Sequence, residues 1–253
     1  MGQASETADR STPVFLRLAG HPIRWRLLEE LSRSDRQVQE LTGLVGEPQN
    51  LVSYHLRQLR TAGLVSVRRS AADGRVAYYT IDLDRCGDLL TAAGSALHPA
   101  LRLVRPAPPP GRPPSRAGVL FVCTGNSARS PMAEGLLRHR AAGMDVFSAG
   151  VAPKPVHPRA VAVMAERGID LAGRPGTHLD EFAGRRFGYV ITLCDRVRPL
   201  CPPFAGNPVL AHWSIPDPAR LPDGSDAFAR TAAELSVRID FLLHRITVPR
   251  EDT

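Results

Sequence analysis

Apolar residues recur along this chain with two different periods, and the changes of period outline its elements. From Pro13 onward three short helical patterns follow one another. Ile23, Leu27, Leu28 and Leu31 repeat at helical spacing behind Pro22, and residues 38–44 form a second helix that breaks at Gly46. In the third, Val52, Leu56 and Leu59 stand at i, i+4 and i+7 and should face a core. Two β-prone runs come next, 64–69 and 75–81, joined by a turn that holds Asp73-Gly74, which predicts a hairpin. Beyond residue 118 the pattern alternates. An apolar run at 119–122 precedes a helix over 132–142, a short strand over 145–148 and a helix over 157–167. Strands over 189–193 and 209–213 and a long amphipathic helix over 226–246 complete the series. Such alternation implies a parallel sheet covered on both faces, with a site at the C-terminal ends of its strands.

Composition divides the chain. Residues 105–117 read RPAPPPGRPPSRA, which can form neither a helix interior nor a central strand and should act as an extended, semi-rigid spacer. We therefore expect a domain at 13–97, a linker at 98–117 and a second domain at 118–248. With 253 residues, the chain is long enough for each to bury its own core. The net charge is +7, carried by arginines and a single lysine, Lys154, a ratio that reflects nucleotide composition more than function. Residues 1–117 hold 16 arginines against 11 acids, whereas 118–253 hold 16 basic against 14 acidic residues. The excess in the smaller half points to a polyanion partner there. No apolar run approaches membrane-spanning length and the first ten residues lack a signal pattern, so a cytoplasmic protein without a membrane partner is expected. In that compartment the cysteines, Cys86, Cys123, Cys194 and Cys201, are better read as catalytic than as structural disulfides.

The stretch VLFVCTGNSARSP carries the clearest chemistry. It reads as a buried strand, a loop and a helix start, with Ser130 as N-cap and Pro131 as first helical residue. Backbone N–H groups of Thr124, Gly125, Asn126, Ser127, Ala128 and Arg129 would then converge with the helix dipole on one tetrahedral oxyanion. Asn126 tolerates the left-handed geometry such a loop needs. Cys123 sits at the base, where those dipoles and Arg129 should favour thiolate over thiol.

CTGNSARSPMAEG resembles the oxyanion loop of the low-molecular-weight protein tyrosine phosphatase superfamily, and in particular of its thioredoxin-coupled arsenate reductases. The resemblance implies a four-stranded parallel sheet with helices on both faces, and catalysis by Cys123, Arg129 and Ser130. VITLCDRVRPLC is similar to the segment that supplies those reductases with two resolving cysteines, which places Cys194 and Cys201 in that role. HWSIPDPA resembles the segment whose aspartate is the general acid, here Asp217. Phosphatases of the superfamily follow that aspartate with aromatic residues; Ala219 and Arg220 stand here instead. Ala128 replaces a second loop cysteine that many members carry, which removes an off-pathway disulfide. The implied reaction is reduction of arsenate to arsenite, ending in a Cys194–Cys201 disulfide, with no bound cofactor or metal and thioredoxin or a similar thiol reductant as electron donor. Two other readings remain, a phosphatase for protein or small phosphoesters and a regulator that senses oxyanion or redox state without turnover.

In the first half, the face of the third helix opposite its apolar stripe is polar. Asn50, Ser53, Tyr54 and Arg57 line it, with Gln49 and His55 adjoining and Arg68, Arg69 and Arg75 in the hairpin. These are side chains of a length that reads base edges and phosphates. LAGHPIRWRLLEEL, NLVSYHLRQLRTAGLV and GRVAYYTI together resemble the ArsR family of bacterial repressors. The resemblance implies an α+β winged helix-turn-helix domain, a homodimer and an operator read by recognition helices about 34 Å apart in successive major grooves. Metal-sensing members carry a cysteine pair on the helix before the recognition helix, and RQVQELTGL has none. Cys86 is therefore read as a packed cysteine and no metal site is expected. His139 and His157 are read as surface and cap residues, Trp213 as core.

Overall fold

A computed structural model of the chain describes residues 12–104, 118–222 and 225–247, so the proline-rich stretch 105–117 lies outside the described residues. Two compact units separate. The first is drawn from residues up to 68 and from 77 to 104, the second from 69–76 and the residues beyond the spacer.

In the first unit, α1 (Val14–Ala19), α2 (Pro22–Arg33), β1 (Arg36–Gln37), α3 (Val38–Val45) and α4 (Gln49–Thr61) lead to β2 (Val65–Arg69), β3 (Ala77–Ile81) and α5 (Leu83–Leu97). Helix limits follow local chemistry. Pro22 opens α2, a reciprocal Gln37–Glu40 capping box opens α3, and Gly46 closes α3 in the left-handed region at φ 71°. The strands lie in the order β1-β3-β2, with β1 antiparallel to β3. Leu27, Leu41, Val52, Leu56 and Leu59 are fully buried in one cluster, as their helical spacing requires, and Leu64, just before β2, joins them. Periodicity gave no signal for β1, which is two residues long, or for α5, whose buried residues are only Cys86 and Ala93.

The second unit holds β4 (Val119–Cys123), α6 (Arg129–Arg140), β5 (Val146–Gly150), α7 (Pro158–Ala165), β6 (Tyr189–Thr192), β7 (Val209–His212) and α8 (Ser225–Thr247). Its sheet runs β5-β4-β6-β7, every pair parallel. All five residues of the internal strand β4 are buried, which is why it is apolar without alternation. A single hydrophobic cluster joins the sheet to α6, α7 and α8, with Phe121 and Phe228 among its largest fully buried side chains. Trp213 belongs to the same core, its ring centroid 5.9 Å from that of Phe121. This α/β unit brings the C-terminal ends of β4, β5 and β6 together in register, Cys123 opposite Gly150 and Val122 opposite Thr192. Among the described residues no helix is long and apolar enough to cross a membrane.

Candidate active site

The loop after β4 is held open by its surroundings. Ala152, Lys154 and His157 donate backbone N–H groups to the carbonyls of Thr124, Gly125 and Ser127 at 2.9, 2.9 and 2.7 Å. Carbonyls turned outward leave the N–H groups of the same peptides facing inward, the arrangement an oxyanion needs. Asn126 adopts φ 45°, and its side chain ties the loop together, Nδ2 donating to Ser130 and Ser148 and Oδ1 accepting from the Thr177 N–H at 2.8 Å. Gly150 is required beside it, since a Cβ there would lie 2.7 Å from both Asn126 N and Thr124 O.

Helix α6 begins two residues earlier than expected. Ala128 is its N-cap, Arg129 its first residue, and Ser130 and Pro131 fall inside the first turn, so Ser130 does not cap the helix. The physical reason is the loop itself, which spends the Ser130 hydroxyl elsewhere. Buried Ser130 Oγ lies 3.0 Å from Cys123 Sγ at the floor of the loop. Arg129 is buried too, donating to the Ile215 carbonyl at 3.0 Å and to Asp217 Oδ2 at 3.2 Å. Asp217 in turn caps the short helical turn Pro218–Arg220 by accepting from the Ala219 N–H.

A second sulfur stands at the rim. Cys194, at the end of β6, is buried and its Sγ lies 3.1 Å from Thr124 Oγ1, on the residue next to Cys123. The segment is anchored immediately afterwards, because Asp195 Oδ1 pairs with His212 Nε2 at 3.0 Å and His212 Nδ1 lies 2.8 Å from Thr192 Oγ1. Burial alone would raise the Asp195 carboxyl, but hydrogen bonds from His212 and Ser214 outweigh it and hold the group down at about 2. Cys201 is half-buried and free, its thiol pushed up to about 11 by burial. Cys86, in the other unit, is buried in an apolar cluster and raised to about 11 by burial and by Asp82, the environment of a packed thiol. His157 caps α7 by accepting from the Arg159 N–H. His139 lies exposed near the end of α6. Sequence reasoning passed over Ser148, Glu134 and Arg174. Their one signal was Glu134 itself, a carboxylate in the helix start that follows the loop motif.

On the first unit, Gln49, Asn50, Tyr54 and Arg57 are exposed along α4, Tyr54 by 52 %, and Ser53 is half-buried. His55 departs from the expectation for DNA contact. It is only 4 % exposed because its position, three after Val52 and one before Leu56, falls in the buried arc. Its ring packs on His21 at 4.4 Å and edge-on to Tyr54 at 5.2 Å. Burial, His21 and Arg24 lower its pKa against an opposing effect of Glu47. In the hairpin, Arg69 and Arg75 are exposed and Arg68 is half-buried. Arg69 donates to the Gly74 carbonyl at 2.8 Å and Arg75 pairs with Asp73 at 3.1 Å, which braces the turn.

A thiol at the floor of an oxyanion loop, on a parallel α/β sheet, defines the phosphatase-like class of cysteine-dependent oxyanion proteins. The chain belongs to the low molecular weight phosphotyrosine protein phosphatase family, whose profile matches residues 118–251. Residues 21–67 match that of the bacterial regulatory protein, arsR family, which places an ArsR helix-turn-helix domain in the first half. An arsenate reductase from Halalkalibacterium halodurans is 36 % identical over 127 residues, 48 % of this chain and 91 % of its own length. A glutaredoxin arsenate reductase from Synechocystis is 33 % identical over 132 residues, 51 % of this chain and 98 % of its own length. The crystal structure of arsenate reductase from Archaeoglobus fulgidus aligns with 32 % identity and a TM-score of 0.43, over 49 % of this chain and 98 % of its own.

Proposed function

We propose that the second unit reduces arsenate to arsenite and that the first reads an operator, as domains 13–97 and 118–248 joined by the linker 98–117. The observation that carries the enzymatic reading is the Cys194 sulfur at the rim of the loop, hydrogen-bonded to Thr124 beside Cys123. Phosphoester hydrolysis needs one sulfur; reduction of arsenic needs a second one close by.

Arsenate sits in the nest of residues 124–129, its charge balanced by the Arg129 guanidinium in a bidentate grip. Cys123 attacks arsenic as the thiolate, held by the O–H of Ser130, and Asp217 gives a proton to the departing oxygen, which leaves as water. Cys194 then attacks the Cys123 sulfur. The electron pair of the sulfur–arsenic bond stays on arsenic, which leaves as arsenite, and a Cys123–Cys194 disulfide forms. Cys201 attacks Cys194 and releases Cys123, so the two electrons given to arsenic are accounted for by a Cys194–Cys201 disulfide. Thioredoxin or a similar cytoplasmic thiol reductant returns the pair to the dithiol. In the first unit, α4 enters the major groove of the operator and a homodimer through this domain spaces two such helices. Gln49, Asn50, Ser53, Tyr54 and Arg57 make the contacts, with Arg68, Arg69 and Arg75 on the flanking backbone.

Single-turnover arsenite release from fully reduced protein, without external thiol, tests the reading. Stoichiometric arsenite with an internal disulfide is expected from the wild type, and none from Cys194→Ser. Phosphoester hydrolysis that survives both Cys194→Ser and Cys201→Ser, with no arsenite formed, would replace the reductase by a phosphatase.

A further inference from the structure

Three rings stand in a row on the first unit. Half-buried His21, the N-cap of α2, lays its ring on that of His55 in α4, with centroids 4.4 Å apart and planes tilted by 42°. His55 in turn meets the ring of Tyr54, its neighbour in sequence, at 5.2 Å and 72°. Tyr54 is exposed on the face of α4 that the proposed reading turns to DNA, whereas His55 is buried. The buried ring therefore joins the start of α2 to a side chain of the recognition helix.

Both imidazoles must be uncharged for the row to stand. His21 Nδ1 accepts from the Ile23 N–H at 3.3 Å, which it can do only while that nitrogen carries no proton, so the side-chain cap of α2 exists in one neutral tautomer. His55 Nδ1 is buried and has no hydrogen-bond partner among the described residues, so a proton added there is a buried charge with nothing to receive it. Charging both rings would set like charges 4.4 Å apart. The neighbours do not relieve this. Arg24, from α2, adds to the repulsion and is held in place by the carbonyls of Leu18 and Arg17 at 2.6 and 3.0 Å. Burial, His21 and Arg24 lower the His55 pKa, against the opposing pull of Glu47 from the turn before α4.

We infer that His21 and His55 are positioning residues for Tyr54 and place operator binding under acid control: as a neutral pair they seat Tyr54 for its DNA contact, and on protonation they release it. The inference rests on the reading of α4 as the recognition helix. Parted from one another, the two rings are ordinary histidines that titrate near about 6.5. Below that pH the unseated form binds more protons than the seated one, and acid shifts the population toward it. A histidine that merely lies near DNA behaves the other way, since the phosphates favour its charged form and acid tightens the complex.

The test is fluorescence anisotropy of full-length protein with a labelled duplex from upstream of its own gene, at constant salt between pH 7.5 and 5.5. Fluorine NMR of protein carrying fluorotyrosine accompanies it, with Tyr54→Phe identifying the Tyr54 signal. For the wild type, the binding constant is expected to fall below pH 6.5 by up to about tenfold per pH unit, the limit for one proton, while the Tyr54 signal shifts over the same range. His21→Asn keeps a side-chain cap on α2 that takes no proton, and His55→Phe keeps a ring beside Tyr54 that takes none. Each variant should hold its own pH 7.5 binding constant down to pH 5.5. Wild-type binding that stays flat or tightens on acidification, a fall that survives in the variants, or a Tyr54 signal indifferent to pH would overturn the inference. If His55→Phe does not fold, His21→Asn alone decides. A duplex bound by no form at any pH would end the operator reading instead, and the fluorine signal would still decide whether His21 and His55 seat Tyr54.

Discussion

Gly150 and His55 show how much rests on single positions. Gly150→Ala places a methyl against two backbone atoms of the oxyanion loop, neither of which can give way as a flexible side chain would. We expect the protein to fold with an unchanged far-UV spectrum but to bind phosphate, measured by calorimetry, more than about tenfold more weakly, a cost of about 1.4 kcal/mol or more. His55 sets a pH dependence in the first unit. Its folded pKa is depressed by burial and by His21 and Arg24, so just below the usual histidine value near 6.5 the unfolded chain binds more protons than the folded one. Stability therefore declines as pH falls through 6.5 and levels off below the folded value. Urea midpoints at pH 7.5, 6 and 5 should show the decline in the wild type and a flatter line in His55→Gln. At this scale the sequence was informative where a motif named residues that the fold brings to one place, as it does Cys123, Arg129 and Asp217. His55 was misplaced because a polar residue beside a polar face looks exposed until the helix is packed.

Among the elements, β4 and α6 show why period alone could not locate the site. Every residue of α6 from Arg129 to Leu137 is buried, so the helix carries no apolar stripe, and its start was legible only from the loop motif that precedes it. Strand β4 was readable as an uninterrupted apolar run, the mark of an internal parallel strand. The remaining strands and helices of this half were legible to within a few residues, because α7 and α8 keep one wet face. The load on β4 is measurable. Phe121 is fully buried against Trp213, and Phe121→Ala should destabilise the second unit by about 3–5 kcal/mol in urea unfolding. What sequence could not supply was the cross-chain geometry. Nothing in the spacing of Glu134, Ser148 and Arg174 announces that they bond to one another beside Asn126, since each link depends on how β5 and the loop beyond Leu171 pack around α6.

For the whole molecule, composition alone separated the halves, because residues 105–117 belong to neither pattern. If the halves act as proposed, their losses are separable. Arg57→Ala should weaken operator binding at every salt concentration and reduce the slope of log K against log salt by about one, as expected for a single phosphate contact. Arsenite release by the same variant should match the wild type. Fluorescence anisotropy with labelled DNA across a salt titration, beside the single-turnover assay, checks both. Arg129 carries a further consequence. Its guanidinium is already engaged, with Asp217 and with the Ile215 carbonyl. An incoming oxyanion meets a tethered rival carboxylate, present at an effective concentration of order millimolar or more. The protein thus contains its own competitive inhibitor. On the proposed reading, this tethered carboxylate lowers the apparent affinity of every entering oxyanion by one constant factor, which Asp217→Asn would remove.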